Sequence, residues 1–401
     1  MMPPSLAQVA QQLEPYVLRL REELHRIPEL RFEEEKTLAV VRRELEARVA
    51  AAPPGAGRVE VRELGGGLVV DVTVDPAQER WLFRADIDGL PVPEETGLAY
   101  ASIHPGRMHA CGHDAHTAML LGAFAALVGD VRPIRNLRFV WQRAEENPVT
   151  ESGGAMLVRE GACEGTSRVY GLHVDANAPS GRFASRAGAF MANSDRVRVE
   201  IKCRGGHVAR PHHGSNAADI AIDVCAALRG FPLRTLGPRE PVSLVPAVVR
   251  AGTASNVRPD TAELWFAARN FLEPDARRRF HARLAGEIEQ IVARYPDAAV
   301  TVTPIEGHPS LVNAPAEVER VGRLLRTSGE ETDEGEMRFG GEDFAWYLRA
   351  RPGCFWFLGA HRPSSTDHHA PRFDPDPAVF WRGIHYWLIL ATAPPGTNDT
   401  Q

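Results

Sequence analysis

A complete small-domain pattern stands between two sets of metal-type residues in this chain, an order that allows only one domain inserted into another. From Ala192 to Thr303 the residues read as strand, helix, strand, strand, helix, strand. Val197-x-Val199-x-Ile201 alternates with period two, Ala217 to Leu228 is helical, and Val242 to Val249 and Thr261 to Phe271 read as strands. Ala276 to Arg294 is a long amphipathic helix, and Ala299 to Val302 closes the series. This βαββαβ order is the ferredoxin-like split motif. Cys111 to His173 precede it and His369 follows it, so the expected division is a catalytic domain built from 1–190 and 307–401, interrupted by a ferredoxin-like α+β domain at 191–306.

The flanking segments predict an α/β domain. Leu6 to Leu24 and Phe32 to Val49 carry apolar residues three and four apart, and Pro53-Pro54-Gly55 ends that pattern. Gly67 to Val74, Trp81 to Ala85, Leu137 to Trp141 and Arg168 to Leu172 read as buried strands, with helices near Thr117 to Val128 and Ser152 to Glu160 between them. That alternation implies a mostly parallel sheet with helices on both faces. Asp86 and Asp88 follow one strand, Glu145 and Glu146 the next, and His173 a third, while the strand Cys354 to Leu358 precedes the His368-His369 loop. All of these stand where open α/β sheets hold ligands, at strand carboxyl ends.

Composition removes several classes. The 401 residues are 44% apolar and 24% charged, ample for a buried core. Lys and Arg total 46 against 52 Asp and Glu, so there is no basic excess to recruit nucleic acid or anionic lipid. The first residues lack a basic segment followed by an apolar run of about 7 to 15, so no secretory signal is expected. No apolar run approaches the roughly 18 residues of a membrane span. The five cysteines are scattered and odd in number, unlike a disulfide framework. The expectation is a cytoplasmic protein acting on a small molecule, with a frayed tail at Pro395 to Gln401.

Cys111 and His113 are two apart, so in an extended loop their side chains point the same way and can share one ion. A lone Cys-x-His is usually a buried thiol beside a helix start; here His109, Asp114 and His116 crowd the same turn. Glu145 and Glu146 leave their strand in different directions, so one carboxylate can bind metal while the other serves as general base. Alone, such a pair is usually a solvated turn. His173 gains its meaning from falling in phase with these motifs, and spacing does not choose between His368 and His369. In the inserted domain, Asn256 and Arg269 suit a substrate carboxylate and His207 suits a developing oxyanion, although each also has a bland reading as a turn cap or a surface cation. Gly340-Gly341-Glu342-Asp343-Phe344 reads as a turn opening a helix, with carboxylates suited to supporting a metal site.

In order, these segments resemble the dinuclear-metal amidohydrolase and exopeptidase family that includes hippurate hydrolase, N-acyl-amino-acid amidohydrolases and the plant indole-acetyl-amino-acid hydrolases. The resemblance runs from His25-Arg26-Ile27-Pro28-Glu29-Leu30 through Arg84-Ala85-Asp86-Ile87-Asp88-Gly89-Leu90-Pro91, Met108 to Asp114, Gly171-Leu172-His173, Gly206-His207, Asn256-Val257-Arg258-Pro259-Asp260 and Glu342-Asp343-Phe344 to His369-Ala370-Pro371. It implies that Cys111, His113, Glu146, His173 and His369 bind two divalent metal ions, with Cys111 bridging, and that Glu145 is the catalytic base. It selects His369 over His368. It also implies that the inserted domain mediates dimerisation or acts as a lid, with His207 and Asn256 reaching a neighbouring site. Arg143 departs from the family pattern, which has Pro before the Ala-Glu-Glu.

The implied function is hydrolysis of small N-acyl amino acids, N-acetyl, N-benzoyl or similar, by a metal-bound water with Glu145 as base. Mixed thiolate, imidazole and carboxylate ligation suits zinc or manganese, and also admits cobalt or nickel. A metallo-exopeptidase or carbamoylase on the same scaffold is the nearest alternative. A catalytically inactive metal- or amino-acid-binding protein is the alternative from another class, against which an intact Glu145 speaks.

Overall fold

The computed structural model describes residues 4–147 and 151–394. The expected tail at Pro395 to Gln401 lies outside them. The chain opens with α1 (Leu6–His25) and α2 (Glu35–Ala50), followed by β1 (Arg58–Leu64), β2 (Gly67–Thr73) and β3 (Arg80–Asp86). Next come α3 (His113–Val128), β4 (Asn136–Gln142), α4 (Gly153–Arg159), β5 (Arg168–Asp175), β6 (Arg182–Ser185) and β7 (Gly188–Met191). The middle stretch holds β8 (Asn193–Lys202), β9 (Gly206–His207), α5 (Ala217–Leu228), α6 (Phe231–Leu236), β10 (Val242–Ala251), β11 (Val257–Arg258), β12 (Thr261–Asn270), α7 (Pro274–Val292) and β13 (Ala299–Ile305). The chain then returns through β14 (Leu311–Asn313), α8 (Pro315–Thr327), β15 (Glu331–Glu334), α9 (Ala345–Ala350), β16 (Gly353–Gly359) and α10 (Phe380–Thr392).

Eight strands form the large sheet in the order β1-β2-β4-β3-β5-β16-β6-β15. Its centre, β4-β3-β5-β16, is parallel throughout, with antiparallel pairs at β1-β2, β2-β4 and β16-β6. Successive side chains on a strand point to opposite faces, so a strand covered on both sides must be apolar at every position. Trp81, Phe83 and Ala85 accordingly join the core beneath α1, α3 and α10, while Leu82 joins the core on the other face with Leu157 and Tyr347. The same split sends Cys354, Trp356 and Leu358 one way and Phe355 and Phe357 the other. α3 is buried along its whole length between the sheet and its helical neighbours, which its unbroken apolar sequence allows.

The second sheet is antiparallel, ordered β10-β12-β8-β13, with α5 and α7 against it. Val197, Val199, Ile201, Leu264 and Phe266 meet Ile220, Val224, Leu284 and Ile288 in a core of its own. This is the βαββαβ arrangement expected from the sequence.

Two differences have simple causes. His173 lies inside β5 and not after it, because the parallel pairing with β16 continues to Asp175 opposite Gly359. β1 carries an alternating, charged sequence and forms one edge of the large sheet, where it has a single partner strand. Among the described residues no helix is long and apolar enough to cross a membrane.

Candidate metal centre

Strand ends and one helix start deliver the donors. Gly112, in the left-handed region at φ 95°, turns the chain between Cys111 and the first residue of α3, His113. A side chain there would strike Val174, so the turn suits glycine. Ala144 and His369 also adopt positive φ, 51° and 62°. For a residue with a Cβ this costs about 1–2 kcal/mol, and such strain collects at functional sites.

The donors fall into overlapping groups whose ligand atoms lie within 4.8 Å of one another: Cys111, His113 and His173 in one, Cys111, Glu146 and His369 in a second. Glu145 joins His113 and Glu146 in a third. Cys111 Sγ lies 3.4 Å from His173 Nε2, and His369 Nε2 lies 3.0 Å from Glu146 Oε1. The structure therefore brings together all five candidate ligands and Glu145.

Two of the three candidate imidazoles, His113 and His173, are held by the far nitrogen. His113 Nδ1 contacts Asp88 Oδ1 at 3.0 Å, leaving a buried Nε2 without a hydrogen-bond partner. His173 Nδ1 faces the Val174 carbonyl at 2.6 Å, which directs Nε2 to Cys111. A tied Nδ1 with a free Nε2 is the usual condition of a metal-binding histidine. Burial, followed by the charges of Glu146, Glu145 and Asp86, pushes the Cys111 thiol well above its ordinary range. Burial, then His116 and His368, holds His173 well below its own, in the neutral form a ligand needs. Burial lowers His113, but Asp86 and Asp88 outweigh it and raise it to about 10, so acidic neighbours draw positive charge to this spot; a bound cation would take the place of that proton and of the thiol's, and the residues fit a dinuclear metal centre sharing Cys111.

Asp86 and His116 form a nearby cluster with His113, but their atoms are already engaged. Asp86 takes Arg84 and His116, and His116 Nε2 accepts the Val174 N–H.

Glu145 is buried beside Glu342 and Asp343, and burial, then Glu342, Glu146 and Asp343, raises its carboxyl well above the usual range. Arg84 balances the group, reaching Glu342 at 3.1 Å and Asp343 at 2.8 Å. The sequence had marked Glu342 and Asp343 for support; Arg84 was missed, although an arginine inside an apolar strand must find a carboxylate. Arg143 anchors the loop from outside, with Nε 2.9 Å from Glu34 and Nη2 2.7 Å from Glu35. Glu34 in turn accepts the Ala144 N–H at 2.8 Å.

A cavity of about 350 Å³ opens over the donors. Met191, Arg269, His308, Arg338, Phe357 and His368 line its wall. Among the described residues the Arg269 guanidinium has no hydrogen-bond or ion-pair partner. His207 and Asn256 are not in the wall. His207 lies on the exposed β9-β11 ladder and Asn256 in the turn just before β11, where the Val208 N–H donates to the Asn256 carbonyl.

Comparison with known proteins agrees with this geometry. The family model described as Peptidase family M20/M25/M40 matches residues 82–393. An N-acetyl-L-cysteine deacetylase of Bacillus subtilis is 32% identical over 375 residues, covering 93% of this chain and 87% of the relative. A thermostable carboxypeptidase of Saccharolobus solfataricus is 29% identical over 384 residues, 95% of each chain. A solved structure from Bacillus subtilis, described as a dinuclear metal binding peptidase, superposes with a TM-score of 0.78 at 27% identity, covering 95% of this chain and 98% of that one.

Proposed function

Since the chain belongs to peptidase family M20/M25/M40 and is a hydrolase of that family, we propose that it cleaves the amide bond of small N-acyl amino acids. The observation that carries this reading is the pair of donor groups sharing Cys111, with Glu145 beside them in one cavity. Cys111, His113, Glu146, His173 and His369 would hold two divalent ions, zinc or manganese first, with cobalt or nickel compatible. When bound, the ions supply Lewis acidity and ease ionisation of water.

Glu145 takes the proton of the attacking water and returns it to the departing amine nitrogen. Arg269, partly buried and without a partner among the described residues, holds the free carboxylate of the amino acid. Phe357 and Arg338, which also line the cavity, would border the acyl group. His207 and Asn256 would serve the cavity of a second copy, His207 facing the developing oxyanion and Asn256 the substrate carboxylate. We assign 1–190 and 307–401 to the catalytic domain and 191–306 to the inserted one, which joins two copies.

An exopeptidase is the second reading, supported by the carboxypeptidase relative aligned over 95% of the chain. One experiment tests both: hydrolysis of N-acetyl, N-benzoyl and indole-acetyl amino acids and several dipeptides, with and without chelator, followed by metal replacement. Chelator-sensitive release of amino acid from the acyl series is expected. Faster cleavage of dipeptides would favour the exopeptidase, and silence across the panel with two metals bound per chain would favour a binding protein.

A further inference from the structure

Of the adjacent histidines His368 and His369, only the second joins a donor group, yet His368 also lines the cavity. Its Nε2 accepts the backbone N–H of Ala176 at 3.2 Å. A nitrogen that accepts cannot carry the proton, so in the neutral ring the proton sits on Nδ1. Asp175 Oδ1 lies 3.8 Å from the same Nε2, too far for a hydrogen bond, and the Asp175 carboxylate is already engaged by Arg338 and the Asn177 N–H. Nδ1 faces Cys111 Sγ at 3.9 Å. The ring is held between Phe373 and His173, with centroid separations of 4.8 Å and 5.5 Å.

We propose that His368 donates an Nδ1–H···S hydrogen bond to the Cys111 sulfur and thereby sets how strongly the shared thiolate binds its metals. This rests on the reading of Cys111 as a metal ligand. A sulfur bridging two cations and accepting an N–H gives up electron density, which lowers the energy of its lone pairs. His368 is then a positioning residue, acting on the metals only through Cys111. The Ala176 amide is what makes the assignment specific, since it fixes which nitrogen carries hydrogen.

The test uses the full chain, stripped of metal and titrated with cobalt(II), whose thiolate-to-metal charge-transfer band reports the sulfur directly. His368→Ala removes the donor, while His368→Asn keeps an N–H near the position of Nδ1. In the Ala variant the band is expected to move to longer wavelength and cobalt affinity to change by about 10-fold, the scale of supporting contacts at metal sites. The Asn variant should stay near the wild type in both. A band and affinity unmoved in the Ala variant overturn the proposal. An Asn variant that behaves like Ala also overturns it, because ring packing would then be the cause. Absence of a thiolate band in the wild type would instead defeat Cys111 as a ligand, a failure distinguishable from the other two.

Discussion

The backbone N–H of Asp343 donates to Glu145 Oε1 across 3.3 Å, joining residues 198 positions apart in the chain. The Asp343 carboxylate is itself fixed by Arg84 Nη2 at 2.8 Å, by Gln142 Nε2 at 2.8 Å and by the Gly154 N–H at 2.9 Å. The proposed base is thus oriented by β3, β4 and the start of α4, and not by its own loop alone.

Replacing that base while keeping its shape isolates the chemistry. Glu145→Gln retains an oxygen for the Asp343 amide, and the five proposed ligands are untouched. Metal content should stay at the wild-type value while kcat falls by about 10²- to 10⁴-fold, the usual contribution of a general base. Metal analysis beside steady-state kinetics checks this, and near-normal turnover would remove Glu145 from the role.

Arg143 tests the loop from its other side. Ala144 holds φ 51° while its N–H is bound by Glu34, and Glu34 is bound by Arg143. Arg143→Ala strips a cation from a buried carboxylate, at a cost of about 1–3 kcal/mol to folding. The loop then loses its brace one residue before Glu145. We expect kcat to fall more than KM rises, with partial recovery in Arg143→Lys; equal kinetics in all three proteins would make the tether irrelevant to catalysis.

The Arg269 guanidinium, in the cavity wall, makes a binding prediction. Arg269→Ala should lower kcat/KM for N-acyl amino acids by about 10- to 100-fold, the worth of one charged hydrogen-bonded contact. The same variant should discriminate little between an N-acyl amino acid and its amide, because the carboxylate no longer matters. A variant that keeps the wild-type preference for the free acid would assign carboxylate recognition elsewhere.

Acid should loosen the junction between the two sheets through Asp195. Burial raises the Asp195 carboxyl, but hydrogen bonds from Arg277 and His281 outweigh it and leave it at about 2, below the ordinary aspartate range. Asp195 Oδ1 also accepts the Gly307 N–H at 3.1 Å, tying β8 to the loop by which the chain passes from β13 to β14. A depressed carboxylate contributes stability that is present above its unfolded pKa and lost as pH falls through the folded one. Between pH 5 and pH 2 the wild type should therefore lose about 2 kcal/mol more than Asp195→Asn. Parallel denaturation series at the two pH values measure the difference, and equal losses would refute the linkage.

Glu145, Glu146 and His173 were legible before the fold because each sits at or near the end of an apolar run, and Cys111 and His113 because they crowd the polar turn that opens one; His369, in a polar loop ten residues past β16, had no such local signal. The ferredoxin-like stretch was legible because its elements alternate cleanly and its core closes on itself. Local pattern could not reveal Arg84 bridging to Glu342 and Asp343, since that contact depends on how two distant segments pack. The short strands β6, β7, β14 and β15 were equally invisible, being three or four residues long and defined only by their partners. Spacing left His368 and His369 open and only the resemblance chose His369; in the structure the Ala176 amide occupies His368 Nε2, whereas His369 Nε2 is turned toward Glu146.

β10 is an edge strand of ten residues, and its outer side offers the unpaired backbone groups that invite another strand. Val245 and Val249 are exposed on it, at 51% and 54%, where a lone edge would ordinarily carry charge. Pro246 is tolerated there because an edge strand need not donate on its outer side. Pairing between two copies would cover this edge, so the protein is expected to be dimeric, and the double substitution Val245→Lys with Val249→Lys should yield a folded monomer by light scattering. If His207 and Asn256 act on the partner's cavity, that monomer should also lose turnover while keeping its metals. Full activity in a proven monomer would confine catalysis to the residues of one chain and leave the β9-β11 ladder without a catalytic part.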